Sequence, residues 1–401
     1  MIIDKTKECN KCGICRSVCP VFLELKDEVM SPRGRISLVE ALLEGDLSDN
    51  TKRYIDTIRT CIRCTRCSQV CPVGVKVEEI IQSARYKIAE NLEIPGSIRE
   101  IFRSTINNPE AFKAELVKSK NLQSSSDYKA PLWLLPLYFH EGTKIPELAD
   151  ETITEKYPEY IESKGEKRVA LFVGCSMNYV HTDIADAAID VLNKFGIDIY
   201  IPKEQICCGA PAMLLGDKEA AEEMAKKNIL ALKAQDFDAI ITLCPNCGVT
   251  LKREYKTLVE DDIAPFTSRI MDISQFITIY MDYKAQPIKQ TVTYHDPCYL
   301  RIGQEVKAEP RQILLGNSQY IEMDQAYKCC GLGCTLGIFH PEVSESMAED
   351  KVEAILETKA DVVATGCPGC IAFIKEQLEK RNIDKEVLHT IQILQKSLSG
   401  V

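Results

Sequence analysis

The chain has 401 residues, of which 45% are hydrophobic and 27% are charged, and its net charge is −10. These values are ordinary for a globular protein, and the length is enough for about three domains with cores of their own. The negative charge argues against nucleic acid as a partner. No apolar run reaches the roughly 18 residues that a membrane-spanning helix needs, so we expect no transmembrane segment.

The N-terminal residues contain no apolar stretch of the kind that directs export, which predicts a cytoplasmic protein. A place at the inner membrane would then be peripheral and would depend on a partner subunit. The chain contains 19 cysteines. At this density in a reducing compartment, cysteine indicates metal binding rather than disulfide bonds.

Two copies of one cysteine run occupy the first 90 residues, which we expect to form one domain. The runs are Cys9, Cys12, Cys15, Cys19 with Pro20, and 52 residues later Cys61, Cys64, Cys67, Cys71 with Pro72. The spacing is that of the bacterial ferredoxins, in which three thiolates of a run bind one [4Fe-4S] cubane and the fourth binds the other. The predicted ligand sets are Cys9, Cys12, Cys15 and Cys71 for one cubane, and Cys61, Cys64, Cys67 and Cys19 for the other. Zinc or disulfide bonds are the alternatives, which the spacing with its trailing proline disfavours.

A loop and a helix are predicted between the two runs. The loop at 31–35 precedes a predicted helix over 36–43. Ser31 suits the cap of that helix, with a proline in its first turn. A second interpretation gives Arg33 and Arg35 a contact with an acidic partner or with cluster sulfurs.

Residues 91–165 are predicted to form a helical connector, including a helix from 97 to 112. The connector contains an apolar stretch at 130–139 with the only tryptophan of the chain. This stretch suits packing between neighbouring domains, and a docking contact with a partner protein is the alternative.

A second, longer duplication fills the rest of the chain. One copy contains Cys175, Cys207, Cys208, Cys244 and Cys247, and the other contains Cys298, Cys329, Cys330, Cys367 and Cys370. Equivalent cysteines are 122 or 123 residues apart, which indicates duplication of a whole domain, and we expect domains at 166–286 and 287–401. Each copy offers five thiolates, one more than a cubane needs. The adjacent pair suits neighbouring irons of an opened, noncubane cluster.

Both copies are predicted to be α/β units. The predicted strands at 169–175, 239–244, 291–298 and 361–367 each end on a cysteine, and helical patterns lie at 183–195, 218–234 and 343–358. Strands that alternate with helices favour a parallel sheet. Ligands of open α/β sheets gather at the carboxyl ends of the strands, which is where these cysteines lie.

The Cys, Cys-Cys-Gly, Cys-x-x-Cys pattern of both copies resembles the catalytic subunit of the heterodisulfide reductases of methanogens. With the ferredoxin-type module in front, the chain is most similar to the fused, D-type form of that subunit. It also resembles the iron–sulfur subunits of glycolate oxidase and anaerobic glycerol-3-phosphate dehydrogenase. The resemblance implies two noncubane [4Fe-4S] clusters, each held by five cysteines. The expected fold is α/β: an N-terminal α-helical ferredoxin-like module followed by two duplicated Rossmann-like Cys-Cys-Gly domains.

For function, the resemblance implies an oxidoreductase in which two cubanes feed two noncubane clusters that reduce a disulfide such as that of coenzymes M and B. The two clusters would flank one S–S bond, each donating one electron and capturing one thiolate. The alternative is an electron conduit for a flavoprotein that oxidises a 2-hydroxy acid or glycerol 3-phosphate. A structural or iron-storage scaffold is a third interpretation. The expected redox partner is a membrane haem subunit, a flavoprotein or a ferredoxin.

The predicted catalytic residues are Cys207, Cys208, Cys329, Cys330 and His295. His295 precedes Cys298 in a His-Asp-Pro-Cys segment that resembles the family's, and its predicted role is to donate a proton to a departing thiolate. A neutral histidine hydrogen-bonded at a strand end is the alternative. Arg301 and Lys328 either bind an anionic substrate group or are solvated. Cys334 lies outside the repeat and is interpreted as a buried apolar residue.

Overall fold

The computed structural model describes residues 2–48, 51–91, 96–107, 113–114, 148–163, 165–233, 236–284, 286–333 and 336–400. The apolar stretch at 130–139 and Cys334 lie outside these ranges, as does most of the predicted connector. Within the ranges, no helix is long and apolar enough to cross a membrane.

Short helices surround the two cysteine runs of the N-terminal region. They are α1 (Ile2–Lys7), α2 (Pro20–Leu25), α3 (Pro32–Glu44), α4 (Lys52–Arg59), α5 (Arg66–Gln69) and α6 (Val77–Asn91), with 3₁₀ helices at Ile14–Val18 and Glu28–Met30. Apolar side chains of α3, α4 and α6 form a small core in which Ile58, Ile80 and Ile81 are fully buried. Several cysteines of both runs pack against this core.

Helix α3 begins at Pro32, before the predicted start of the helix at 36–43. Ser31 is its N-cap, and the Ser31 hydroxyl accepts a hydrogen bond from the Gly34 backbone N–H at 3.0 Å. The predicted cap is therefore confirmed, and the cap explains the earlier start, because it satisfies a backbone donor in the first turn.

Two helices of the connector are described. Helix α7 (Gly96–Asn107) corresponds to the prediction at 97–112, whose last residues lie outside the described ranges, and α8 (Ile153–Lys156) follows later. Phe102 and Ile106 of α7 are buried in the same apolar core as the first sheet. Helix α7 thus packs against the first α/β unit.

The first α/β unit contains a five-stranded sheet in the order β1-β3-β2-β4-β5. Its strands are β1 (Tyr160–Ile161), β2 (Arg168–Phe172), β3 (Asp198–Tyr200), β4 (Ala239–Thr242) and β5 (Ile270–Asp272). Strand β1 is antiparallel to β3, and the other neighbours are parallel. The helices are α9 (Gly174–Tyr179), α10 (Thr182–Lys194), α11 (Ala210–Leu215), α12 (Lys218–Leu232), α13 (Pro245–Val249), α14 (Tyr255–Leu258), α15 (Ala264–Thr267) and α16 (Ile273–Tyr280), with a π-helical turn at Thr250–Glu254.

The second unit repeats this plan with four parallel strands in the order β7-β6-β8-β9. The strands are β6 (Thr291–Tyr294), β7 (Gln319–Ile321), β8 (Val362–Thr365) and β9 (Glu386–His389). The helices are α17 (Glu309–Asn317), α18 (Leu336–Phe339), α19 (Pro341–Glu357), α20 (Pro368–Lys380) and α21 (Thr390–Ser399), with a π-helical turn at Tyr299–Gly303. The predicted strands, helices and parallel pairing are confirmed in both units, but each predicted strand ends two to four residues before its cysteine rather than on it. The sequence did not predict the other five strands, which are short.

The two units pack through equivalent helices. Helix α10 of the first contacts α21 of the second, and α16 of the first contacts α17 of the second. Each contact pairs the helix that follows Cys175 or Cys298 with the last helix of the other unit. Gln392 donates to Asp183 at 2.7 Å and Gln395 donates to Asp190 at 3.0 Å across one of them. The packing therefore has the form of a pseudo-twofold axis.

Candidate metal centres

The two central strands of each sheet deliver two cysteines to one edge. Cys175 and Cys244 follow β2 and β4, and Cys298 and Cys367 follow β6 and β8. Because the carboxyl ends of neighbouring parallel strands meet at the same edge, each pair of cysteines is brought together.

The adjacent cysteines reach this edge from the loops after β3 and β7. Gly209 and Gly331 follow the pairs with φ angles of 87° and 102°, a region that favours glycine. A Cβ atom on Gly331 would lie 2.5 Å from the carbonyl oxygen of Ser344. The glycine of each Cys-Cys-Gly motif thus permits the turn, and in the second unit also the close approach of α19.

All ten cysteines of the two units line one cavity of about 1020 Å³, part of it open to solvent. The first set is Cys175, Cys207, Cys208, Cys244 and Cys247, and the second set is Cys298, Cys329, Cys330, Cys367 and Cys370. Ile62, Pro211 and Leu332 are among the apolar residues of the wall. The pseudo-twofold packing therefore makes both predicted ligand sets face a common space.

The thiols of these sets are close enough to perturb one another. The Cys330 and Cys370 sulfurs are 3.4 Å apart. Hydrogen bonding between neighbouring thiols, together with burial, raises the pKa of Cys207, Cys208, Cys247, Cys329 and Cys370. Hydrogen bonds from Cys329, Cys370 and His295 instead lower the pKa of Cys330. None of the 18 cysteines in the described ranges forms a disulfide bond.

Such a group of buried thiols fits an iron–sulfur cluster. Thiolates are the ligands that hold these clusters, and bound metal stabilises the deprotonated form that burial disfavours. Both sets fit this requirement equally, because each presents five sulfurs to the cavity.

His295 lies in the wall of the cavity and is buried. It interacts with Cys330 by hydrogen bonding, and ligand atoms of His295, Cys330 and Cys370 all lie within 4.8 Å of one another. Burial lowers the pKa of His295, which favours the neutral imidazole. Phe172 occupies the equivalent place in the first unit, 123 residues earlier.

The other two predicted polar residues are held by ion pairs. Arg301 and Arg311 each lie 2.8 Å from the buried carboxylate of Asp296. Lys328 lies 3.2 Å from Asp350, and both side chains are about half exposed. Neither Arg301 nor Lys328 is among the described residues that line the cavity. A role in binding an anionic substrate stays a prediction for both.

A second cavity, of about 410 Å³, contains the inner set of cysteines: Cys19, Cys61, Cys64 and Cys67. Cys19 belongs to the first run, so four cysteines predicted to share a cubane meet across the two runs. Arg35 is buried here, donating to the Thr57 carbonyl at 2.9 Å and to Cys19 Sγ at 3.9 Å. Its Nη2 has no partner among the described residues. A buried cation beside four thiols fits a negatively charged cluster. The contact between Arg35 and Cys19 is one of the two interpretations that the sequence allowed for the loop at 31–35.

The outer set, Cys9, Cys12, Cys15 and Cys71, lies nearer the surface. Cys12 is exposed, and the other three are half-buried. Cys9 and Cys71 come from different runs and pack against the same apolar core. Ile14, between two cysteines of this set, is 49% exposed. The outer set is thus accessible to a partner protein.

Ile62 separates the two cavities and lines both. Its carbonyl accepts a hydrogen bond from the Tyr299 hydroxyl at 3.2 Å. Cys64 of the inner set and Cys329 of the second set are buried in one apolar cluster. The inner set therefore lies beside the second set.

Sequence reasoning missed several buried charged residues near the predicted ligands, among them Arg63 and Lys351. Arg63 forms an ion pair with Glu254 at 3.0 Å and ties the N-terminal region to the first unit. Lys351 of α19 is 2% exposed. No motif in the sequence marks Arg63. Lys351 follows Met347 by four residues and so lies on the apolar stripe of the helix predicted at 343–358, and a lysine on that stripe is a recognisable signal.

Comparison with known proteins identifies the domains. Residues 169–252 and 292–375 match the cysteine-rich domain family, and residues 5–75 match the 4Fe-4S dicluster domain family. The chain is 30% identical to the "Probable glycolate oxidase iron-sulfur subunit" of Bacillus subtilis, over 94% of this chain and 90% of that protein. The chain belongs to this family of iron–sulfur oxidoreductase subunits.

Other members carry other names. A subunit of the CoM/CoB fumarate reductase of Methanothermobacter marburgensis is 30% identical, over 98% of this chain and 73% of that protein. A subunit of the dihydromethanophenazine:CoB–CoM heterodisulfide reductase of Methanosarcina acetivorans is 25% identical, over 97% of this chain and 93% of that protein. The predicted resemblance to both branches is confirmed. As a family member, the chain is an electron-transfer protein that binds iron–sulfur clusters.

Proposed function

We propose that this protein reduces a disulfide, with two noncubane [4Fe-4S] clusters held by the first and second sets of cysteines. The observation that supports this proposal is the single cavity lined by all ten cysteines. Electron conduction alone does not require two complete ligand sets to face one space. Reduction of an S–S bond does need such a space, because the bond has to lie beside both sets at once.

Reduction of a disulfide consumes two electrons and two protons and yields two thiols. When bound, the clusters supply the two electrons singly. The ten cysteines would hold the clusters, and apolar side chains of the cavity wall, such as Ile62, Pro211 and Leu332, would surround the bond. We assign to His295 the relay of one of the two protons from water to a departing thiolate, because it lies in the wall and interacts with Cys330. Water from the open part of the cavity is the source of the other.

The proposed electron path runs from the outer set to the inner set and then to the second set. The exposure of Cys12 and Ile14 supports electron input at the outer set. The shared packing of Cys64 and Cys329 supports transfer from the inner set to the second unit. Each of the two N-terminal sets would hold a cubane. The donor would be a membrane haem subunit, a flavoprotein or a ferredoxin that docks near Cys12.

The test is electron paramagnetic resonance of anaerobically purified, oxidised protein, with and without coenzyme M or coenzyme B thiol. These thiols are the first to try because two relatives carry them in their names. We expect a new paramagnetic species that appears only with thiol, together with viologen-driven reduction of the mixed disulfide. Unchanged spectra in a protein with iron for four clusters would contradict the proposal.

An electron conduit is the second candidate, favoured by the 30% identity to the glycolate oxidase iron–sulfur subunit. In this case a flavoprotein partner oxidises a 2-hydroxy acid or glycerol 3-phosphate, and this chain carries the electrons onward. The same experiment separates the two candidates. A conduit would be reduced by the flavoprotein and its substrate, while thiols would leave every spectrum unchanged.

A further inference from the structure

A buried cation lies behind the second set of cysteines. Lys351 of α19 is 2% exposed, and its ammonium donates to the backbone carbonyls of Ala326 at 3.2 Å and Gln325 at 3.4 Å. It is also 3.6 Å from the sulfur of Met323. These partners accept and do not donate, so they hold the nitrogen as a donor. In the described part of the chain, no ion pair joins Lys351 to a carboxylate.

Three cysteines of the second set are among the groups that act on this ammonium. Burial lowers the pKa of Lys351 to about 8, an effect opposed by Cys330, Cys329 and Cys370 and reinforced by Arg66. A buried, unneutralised cation is costly unless negative charge lies nearby. A cluster held by these cysteines supplies that charge, which gives the lysine a physical reason to be there.

The first unit has a neutral residue in the equivalent place. Asn228 of α12 lies 123 residues before Lys351, the same spacing as between equivalent cysteines of the Cys-x-x-Cys motifs. Asn228 is fully buried and donates to the Cys207 carbonyl at 3.0 Å, while its Oδ1 accepts from Ile206 N–H at 2.9 Å. Both residues thus tie a helix to the loop that carries the cysteine pair. Only the residue in the second unit brings a charge.

We propose that Lys351 raises the reduction potential of the cluster held by the second set above that of the cluster held by the first set. Reduction adds negative charge, and a buried cation stabilises negative charge more strongly than one that water screens. The second cluster is then the first of the two to receive an electron, which agrees with the position of the inner set beside Cys329. This inference rests on the proposed binding of a cluster by each set.

The test is an anaerobic redox titration followed by electron paramagnetic resonance, with iron content measured on each sample. Lys351→Gln removes the charge and keeps an N–H donor for the carbonyls. We expect the midpoint potential of one noncubane cluster to fall, while the other noncubane cluster and the two cubanes keep theirs. Lys328→Gln is the matched control, because Lys328 precedes Cys329 directly but is exposed and paired with Asp350. We expect the midpoint potential to shift much less in Lys328→Gln than in Lys351→Gln.

Asn228→Asp identifies which potential belongs to which unit. This nearly isosteric change places a carboxyl group behind the first set, and we expect it to lower the potential that Lys351→Gln leaves unchanged. Two results would overturn this inference without contradicting the proposed function. They are equal shifts of both noncubane potentials, and no shift in Lys351→Gln with all four clusters present. Loss of iron from Lys351→Gln would also overturn it and give the lysine a structural role. A wild-type protein with iron for only two clusters would overturn the proposed function.

Discussion

The two α/β units share a plan and differ in their ionisable residues. Strands β2, β4 and β5 of the first unit have the same order as β6, β8 and β9 of the second, and equivalent cysteines follow equivalent strands. The last of these strands ends at Asp272 in the first unit and at His389 in the second, and each residue caps the next helix. Phe172 of the first unit stands at the position that His295 has in the second. The duplication has kept the ligands and the backbone, whereas the electrostatics of the two ligand sets have diverged.

The largest expected effect comes from removing one member of a cysteine pair in either unit. Cys207→Ala and Cys329→Ala are each expected to lower disulfide reduction by at least about 10²-fold, because both sets are needed to flank one bond. The resonance signals of the two cubanes are expected to persist, since neither residue belongs to the N-terminal sets. Viologen-driven turnover and cubane signals are measured on the same samples.

Cys334→Ala is the control, because this cysteine lies outside both repeats. The two cysteine variants distinguish the roles of the two units most clearly if their rates of electron transfer differ. Full electron transfer in Cys207→Ala with none in Cys329→Ala would mean that only the second unit lies on the path, which contradicts disulfide reduction and favours the conduit.

His295→Phe makes the second unit resemble the first at this position. We expect the rate of disulfide reduction to fall by roughly 10²-fold, the usual contribution of a positioned proton donor. Iron content and the thiol-dependent signal should remain, because the cysteines are unchanged. His295→Gln keeps a hydrogen-bond donor and should lose less of the rate than His295→Phe does. Equal rates in the wild type and both variants would assign the histidine to packing.

Cysteine spacing yields candidate ligand sets more readily than it yields their surroundings, for a physical reason. Cysteine spacing is set by the geometry of a cluster within a few residues of chain, so the inner set could be assembled from both runs before any fold was known. Strands β2, β4, β6 and β8 were also predictable, because they are largely buried on both faces and are short apolar or alternating runs. Strands such as β3 and β7 have three residues each, too few for a periodic pattern.

The relation between the units was not predictable. It depends on α10 contacting α21 and α16 contacting α17, and long-range packing of this kind leaves no motif. The common cavity follows from that packing. The position of Ile62 depends on how the N-terminal region packs against the units, and the burial of Lys351 depends on contacts within the second unit. Sequence spacing therefore predicts candidate ligands but not the space between them.

His389 makes the second unit sensitive to acid. Burial lowers its pKa to about 4, an effect opposed by the carbonyls of Gly366 and Leu243 and by Asp183, and reinforced by His181. A histidine with a lowered folded pKa stabilises the fold above its unfolded pKa of about 6.5 and loses that contribution as the pH falls toward 4. Between pH 7 and pH 5 this amounts to about 2 kcal/mol.

His389→Asn is expected to remove this dependence while keeping a helix cap, because Asn accepts from the Ile391 N–H as the histidine Nδ1 does. The measurement is the midpoint of anaerobic urea unfolding at pH 7 and pH 5, followed by circular dichroism. The wild type should lose more stability than the variant on acidification. Parallel losses would mean that His389 does not titrate in this range.

Asp272 makes the stability of the fold depend on pH in the opposite sense and to a smaller extent. Burial raises its pKa to about 6, although its carboxylate accepts from the Ser274 N–H at 2.9 Å, and Glu309 acts in the same direction as burial. Lys252 and Tyr294 also face this carboxyl. A carboxyl group with a raised folded pKa contributes stability below its unfolded pKa of about 3.9 and loses it as the pH rises through 6, about 1 kcal/mol between pH 5 and pH 7.

Asp272→Asn keeps the cap to Ser274 and removes the charge, so we expect it to stabilise the protein more at pH 7 than at pH 5. In the same urea measurement, the variant should therefore differ from the wild type in the sense opposite to His389→Asn. Combining the two substitutions should then leave the smallest difference between pH 5 and pH 7, because neither group is among the main causes of the other's pKa shift. A change of the pH dependence in the same direction in both single variants would contradict this prediction. The carboxyl ends of β5 and β9 would then have similar electrostatics, and the two units would differ only in the residues of the cavity wall.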